Sequence, residues 1–174
     1  MLDNIVERAC AFRSSQQTIV LSKPVSCLKG ILAVIDILKA APDHAHEVKS
    51  LLNQLGYESH ESELVSALSQ QDPNSEVLVA KKGTKLIAFM SLIYFYYFPM
   101  QKSLCRITTI VVNETMRNAG VGKKLIRFAT SQAASKSCAQ LEVTTSLARK
   151  ATQAYYERIG FKKASYRYYL DIGN

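Results

Sequence analysis

The stretch "ITTIVVNETMRNAGVGKKLIRFA", residues 107–129, decides how this chain is read. Its first six residues are all β-branched and suit a strand packed on a pleated surface. A polar bend at Asn113–Thr115 follows, and then Gly120 and Gly122 stand two apart. After them Val121, Leu125, Ile126, Ala129 and Ala133 recur at the spacing of one helical face. A strand, a short turn and glycines opening a helix make a place for an anion. The first N–H groups of a helix have no partner within it, and the helix dipole leaves partial positive charge there. Glycine lets an anion approach the backbone without meeting a Cβ. Arg117 and Lys123 add full charges beside those dipoles.

The surrounding composition fits one folded domain with an anionic partner. A chain of 174 residues can bury a core without disulfides or metals, and 48% hydrophobic with 21% charged residues argues against disorder. The net charge of +8 is lopsided: residues 1–87 hold 9 Lys+Arg and 10 Asp+Glu, whereas residues 88–174 hold 13 and 4. The positive field belongs to the half with the glycine turn, and calls for a phosphorylated cofactor, a nucleic acid or an acidic membrane. The longest apolar run, "LIAFMSLIYFYYFPM" (86–100), is shorter than a membrane span and interrupted by Ser91, so it reads as a long buried strand. The N-terminus has early acids and no apolar signal core, and Cys10, Cys27, Cys105 and Cys138 lack paired spacing. The expectation is a cytoplasmic protein with free thiols and no metal site.

Residues 1–30 read as an N-terminal extension with one short helix at "VERACAF", and residues 31–174 as a single domain. Strands are expected at 31–38, in a hairpin around Lys82-Gly83-Thr84 within 76–98, and at 104–112, 139–145 and 161–172. Helices are expected at 41–57, with Asp43 as N-cap and Gly56 as stop, and at 59–70, with Leu64, Val65 and Leu68 inward. Two more follow at 120–136 and 149–160, the last closed by Gly160. The fold class is α/β in the α+β sense: a mixed central sheet of about six strands flanked by about four helices. His44, His46 and His60 have no ligand companions and are expected at the surface. In the aromatic run Tyr94–Phe98, one strand face packs the core; the other is free for a substrate entrance or a second subunit.

Two familiar phosphate loops do not fit. The P-loop GxxxxGK[ST] would need glycine at Arg117 and a hydroxyl at Lys124, and the dinucleotide fingerprint would need glycine at Leu125. The pattern R/Q-x-x-G-x-G/A does fit, as Arg117-Asn118-Ala119-Gly120-Val121-Gly122. With "AYYERIGFKKASYRYYL" (154–170) downstream, it resembles the GNAT superfamily of N-acetyltransferases over roughly residues 31–172.

That resemblance implies acetyl-CoA bound in a V-shaped opening between splayed strands 104–112 and 139–145. The main chain of Ile110, Val111 and Val112 would pair with the pantetheine arm as a neighbouring strand would. Arg117, Asn118, Ala119, Gly120, Val121, Gly122 and Lys123 would hold the pyrophosphate. Tyr156 matches the family's acid, or hydrogen-bond donor, toward the departing thiolate, and Tyr155 is left to packing. The implied reaction is acetyl transfer to a primary amine by direct attack, in a homodimer without nucleic-acid or membrane partners. The stretch 141–170 is most like aminoalkylphosphonate and other small-amine acetyltransferases: Ser146 and Arg149 match, while Gln153 and Ala154 stand near that branch's histidine.

The catalytic base departs from the family. Thr108 and Thr109 stand where many relatives carry a carboxylate, and threonine is no base at neutral pH. Glu142 acting through water, an amine of low pKa, or lost catalysis are the alternatives. The last leads to a second reading, a non-catalytic acyl-CoA-binding sensor. A third, nucleic-acid binding, finds charge but no helix-turn-helix, zinc or RNA-binding motif.

Overall fold

A computed structural model describes residues 34–70 and 72–173. The extension at 1–30, its helix, Cys10, Cys27 and the first residues of the 31–38 strand lie outside the described residues. Five strands form one sheet: β1 (Ile35–Lys39), β2 (Ser75–Lys82), β3 (Lys85–Tyr97), β4 (Lys102–Val112) and β5 (Gln140–Val143), in that spatial order. The first four are antiparallel neighbours, and β5 runs parallel to β4. Parallel neighbours cannot be joined by a tight turn, so helix α3 (Val121–Ser135) crosses between them. Helices α1 (Ala45–Asn53), α2 (Glu61–Ser69) and α4 (Lys150–Arg158) complete an α+β fold of one mixed sheet and four helices.

The strands' two-residue period sorts the core into two layers. Met90, Leu92, Cys105 and Ile107 pack with Val121, Leu125, Ala129 and Ala133 of α3 and Tyr156 of α4. The alternate residues Val79, Phe89 and Val111 pack with Val48 and Leu51 of α1, beside Leu64 and Leu68 of α2. The inward face of α3 is the one its spacing foretells.

Several local expectations are corrected. "FKKASYRYYLDI" (161–172) forms no strand: residues 161–173 have no regular structure. A strand draws its hydrogen bonds from a neighbour, and none lies beside this segment among the described residues. Asp43 is not a helix cap, because Pro42–His44 make a 3₁₀ turn and His44 occupies the N-cap of α1. His44 is buried rather than superficial, its Nδ1 accepting the Ala41 N–H at 2.9 Å. Val65 faces outward. Of the aromatic run only Tyr94 is buried in the core; Tyr96, Tyr97 and Phe98 are exposed at the β3–β4 tip.

Candidate functional site

The site begins at an irregularity in β4. Opposite β3, Leu92 pairs with Ile107 but Ser91 pairs with Thr109, so Thr108 is an extra residue. Such a bulge bends and twists the strand that carries it. The parallel pairing with β5 stops at the same place, with Ile107 opposite Val143 as its last pair. Residues 108–112 of β4 continue along β3 and have no strand on their other side among the described residues. The expected splay is therefore present, and the main chain of Ile110, Val111 and Val112 lies along the open stretch. Ile110 and Val112 pack toward the α3 layer, and Val111 is buried in the α1–α2 layer.

Beyond Val112 the chain is organised for a sharp entry into α3. Asn113 donates its N–H to the Ile87 carbonyl at 2.8 Å, and its Oδ1 accepts from the Thr115 N–H at 3.0 Å and from the Thr115 hydroxyl at 2.8 Å. Arg117 folds back with Nε 3.5 Å from the Val112 carbonyl oxygen. Asn118 and Gly120 both sit in the left-handed region, at φ 62° and 78°. Asn tolerates that region better than other side-chain-bearing residues, and glycine enters it without cost. The first helical bond runs from the Lys124 N–H to the Gly120 carbonyl at 3.1 Å, and no side chain caps the helix. The amides of Val121, Gly122 and Lys123 thus open the helix uncapped, with no acid in the first turn and with Arg117, Lys123 and Lys124 exposed around them. These are the donors and charges that suit a diphosphate.

The two tyrosines of α4 stand in different surroundings. The ring of Tyr156 is buried, edge-on to Phe161 at 5.5 Å. The Tyr156 hydroxyl is not among the buried polar atoms left without a partner among the described residues, of which Ser59 Oγ is the one. Burial pushes that hydroxyl up to about 12, the neighbouring Tyr155 adds to the rise, and Arg149 opposes it. Tyr155 reaches the glycine turn itself: a Cβ on Gly122 would lie 3.3 Å from its hydroxyl oxygen. Its ring lies 5.6 Å beneath the Arg158 guanidinium. Tyr155 also packs against the α3 core layer. The 100° offset of adjacent helical residues held the signal, since Tyr156 could not face the same neighbours.

The groups expected near an acceptor are also engaged. The Thr108 hydroxyl shares a hydrogen bond of 2.6 Å with the Ser91 hydroxyl. Glu142 Oε2 accepts from Arg106 Nε at 2.8 Å and lies 2.8 Å from Nη2 in a salt bridge. Arg106 in turn stacks over Phe95 at 4.7 Å. Glu142 is thus held toward Arg106 in an ion pair. No group of metal-ligating side chains occurs among the described residues, nor a helix long and apolar enough to cross a membrane. A separate polar recess of about 400 Å³ lies between Lys39, Glu76 and Lys136, near the far end of α3. Two of its charges are engaged: Tyr94 donates to Glu76 at 2.8 Å, and Lys136 sits 4.2 Å over the Tyr94 ring.

Comparison with known proteins agrees with this architecture. A profile of the acetyltransferase (GNAT) family matches residues 45–161. The aminoalkylphosphonate N-acetyltransferase of Salmonella typhimurium is 22% identical over 143 residues, covering 79% of this chain and 92% of its own. Among solved structures, a transcriptional regulator from Bacillus halodurans superposes with a TM-score of 0.73 at 19% identity, covering 80% of this chain and 100% of its own. An aminoglycoside N-acetyltransferase in complex with CoA superposes with a TM-score of 0.71 at 17% identity, covering 80% and 95%.

Proposed function

Because the chain belongs to the acetyltransferase (GNAT) family, we propose that it transfers an acetyl group from acetyl-CoA to the primary amine of a small molecule, by direct attack in a ternary complex. The observation that carries the reading is the uncapped glycine turn at the mouth of the splayed β4–β5 opening. In this reading residues 31–174 are the catalytic domain, working in the cytoplasm as a homodimer without nucleic-acid or membrane partners. The amides and side chains of Arg117 to Lys123 take the pyrophosphate, and the free edge of Ile110–Val112 takes the amides of the pantetheine arm. A small-amine acceptor draws support from the activity of the Salmonella relative, at 22% identity.

Tyr156 then serves the leaving group. A phenol near 12 giving its proton to a thiolate of ordinary pKa near 8.5 is uphill by about 3.5 units, roughly 5 kcal/mol. Tyr156 accordingly keeps its proton and stabilises the departing sulfur by hydrogen bonding. On the amine side the protein offers little help. Thr108 is no base, and Glu142 is held by Arg106. Only about one ordinary ammonium in a thousand is neutral at pH 7, so turnover should climb about tenfold per pH unit above neutrality. A plateau near pH 7 would instead reveal a protein base.

The test is calorimetric titration with acetyl-CoA, then thiol release against a panel of small amines. Binding with amine-dependent release is the expected outcome. Gly120→Glu should abolish binding while the fold is kept, by setting a carboxylate where the pyrophosphate charge belongs; retained binding would contradict the assignment. Binding without release for any amine would favour the second reading, an acyl-CoA sensor, which the engaged Glu142 and the threonines at 108 and 109 support.

A further inference from the structure

We propose that Arg149 is a positioning residue that couples a strap across the β4–β5 opening to the leaving-group donor Tyr156. The inference rests on the reading of Tyr156 given above. It begins at the end of α1. Gly56, at φ 87°, turns the chain out of the helix, and the N–H groups of Gly56 and Tyr57 return to the carbonyls of Asn53 and Leu52 at 3.0 and 3.2 Å. That closure satisfies two of the last carbonyls and leaves the Leu55 carbonyl for a donor from elsewhere. Arg149 supplies it, through Nη2 at 3.2 Å, from 94 residues along the chain. A guanidinium there also meets the negative end of the α1 dipole.

One residue earlier, Gln54 reaches the other way. Its Oε1 accepts the Glu114 N–H at 3.2 Å. Glu114 opens the 3₁₀ turn that follows β4, whereas Arg149 is the N-cap of α4, which follows β5. Beyond the last pair, Ile107 with Val143, no ladder joins β4 to β5 among the described residues. Gln54 and Leu55 therefore form a strap with one bond to each side of the opening. The open edge of residues 108–112 runs up to the first of these two landings.

The second landing is itself braced. The Ala148 N–H bonds to Ser146 Oγ at 3.2 Å, and the Arg149 N–H to the Ser146 carbonyl at 3.1 Å. Gln153 Nε2 donates to the carbonyls of Ser146 and Leu147 at 2.9 and 3.0 Å, which ties this loop to the first turn of α4. Seven residues make about two helical turns, so Arg149 and Tyr156 share a face of α4. The guanidinium is near enough to oppose the rise that burial imposes on the Tyr156 hydroxyl. Positive charge beside a phenol favours its ionised form and makes it the stronger hydrogen-bond donor. One side chain thus serves both the strap and the donor.

The experiment binds CoA, the product thiol, to the full chain and follows the ultraviolet absorbance of the bound thiolate against pH. A free thiol near about 8.5 is the reference, and binding beside Tyr156 should lower it. Arg149→Gln and Tyr156→Phe should each move the bound thiol back up by about one unit, a tenfold change. The double variant should move it no further, because the arginine acts through the tyrosine. Arg149→Lys, which keeps a charge and a donor, should recover most of the shift. Lys150→Gln, which removes the neighbouring charge alone, should cause none. Arg149 is exposed, so these variants keep the fold, which circular dichroism verifies. Hydrogen exchange reads the strap separately: the Glu114 amide, at the far landing, should exchange about tenfold faster in Arg149→Gln, as in Gln54→Leu. Arg149→Gln without effect beside a responsive Tyr156→Phe would overturn this proposal alone. So would additive shifts, an equal shift from Lys150→Gln, or a Glu114 amide that responds only to Gln54→Leu. No binding of CoA, or a thiol indifferent to Tyr156→Phe, would sink the functional reading and this inference with it.

Discussion

Leu125 and Leu170 are the same side chain in opposite circumstances. Leu125 has no exposure, locked between α3 and the sheet, while Leu170 is 87% exposed. The regions around them differ in the same way. The segment from β4 through the glycine turn into α3 is packed on one side and open along the edge of residues 108–112 and at its uncapped helix start. The segment after α4 is held at Phe161 and open everywhere beyond it. The difference lies in where backbone hydrogen bonds come from. A helix satisfies its own and then needs only lateral packing, whereas a strand needs another strand before its apolar face has anywhere to go.

Truncating each leucine tests that contrast most severely. Leu125→Ala should cost about 2–5 kcal/mol of unfolding free energy in denaturant titration, through lost burial and a cavity in the main core. Leu170→Ala, at concentrations where the chain is monomeric, should change stability by less than about 0.5 kcal/mol. Equal costs would erase the distinction between the two regions.

Within the α4 pair, Tyr156→Phe should lower kcat about 10–100-fold with little change in acetyl-CoA affinity in steady-state kinetics. An equal loss in both would make Tyr156 a packing residue. A smaller effect belongs to the close approach beside it. Gly122→Ala puts a Cβ 3.3 Å from the Tyr155 hydroxyl and should weaken acetyl-CoA binding by a factor of about three to ten. Adding Tyr155→Phe should recover most of the loss, and a double variant no better than the single would show that another contact is responsible.

The smallest effect is alkaline. Burial raises the Tyr156 hydroxyl to about 12 against about 10 in an unfolded chain. The folded state therefore holds this proton more tightly, and the associated stabilisation is complete below pH 10 and lost as the pH rises toward 12. Tyr94, pushed up by burial and by Glu76, acts in the same direction. Tyr156→Phe should flatten part of the fall in stability between pH 10 and 12, and an unchanged slope would assign that fall to other groups.

The legible parts of the sequence are those whose signals act over a few residues. Gly120 and Gly122, the 3.6-residue period from Val121 to Ala133, and the Gly83 hairpin each specify local geometry, and each element stands where its pattern puts it. The order of strand, bend, glycine turn and helix carries the family resemblance for the same reason. Asp43 reads as a cap but is none, because Pro42 starts a 3₁₀ turn one step earlier. His44 reads as a surface residue but is buried, because its ring answers a backbone N–H that composition does not reveal.

Chain-local chemistry thus determined the helices, the hairpin, the glycine turn and the basic character of the half that holds it. Tertiary structure alone decided which residues meet: that Thr108 bulges where β5 leaves β4, that Arg106 engages Glu142, and that Tyr155 rather than Tyr156 touches Gly122. It also decided that 161–172 has no neighbouring strand among the described residues, because the bonds that make a strand are made between segments distant in sequence.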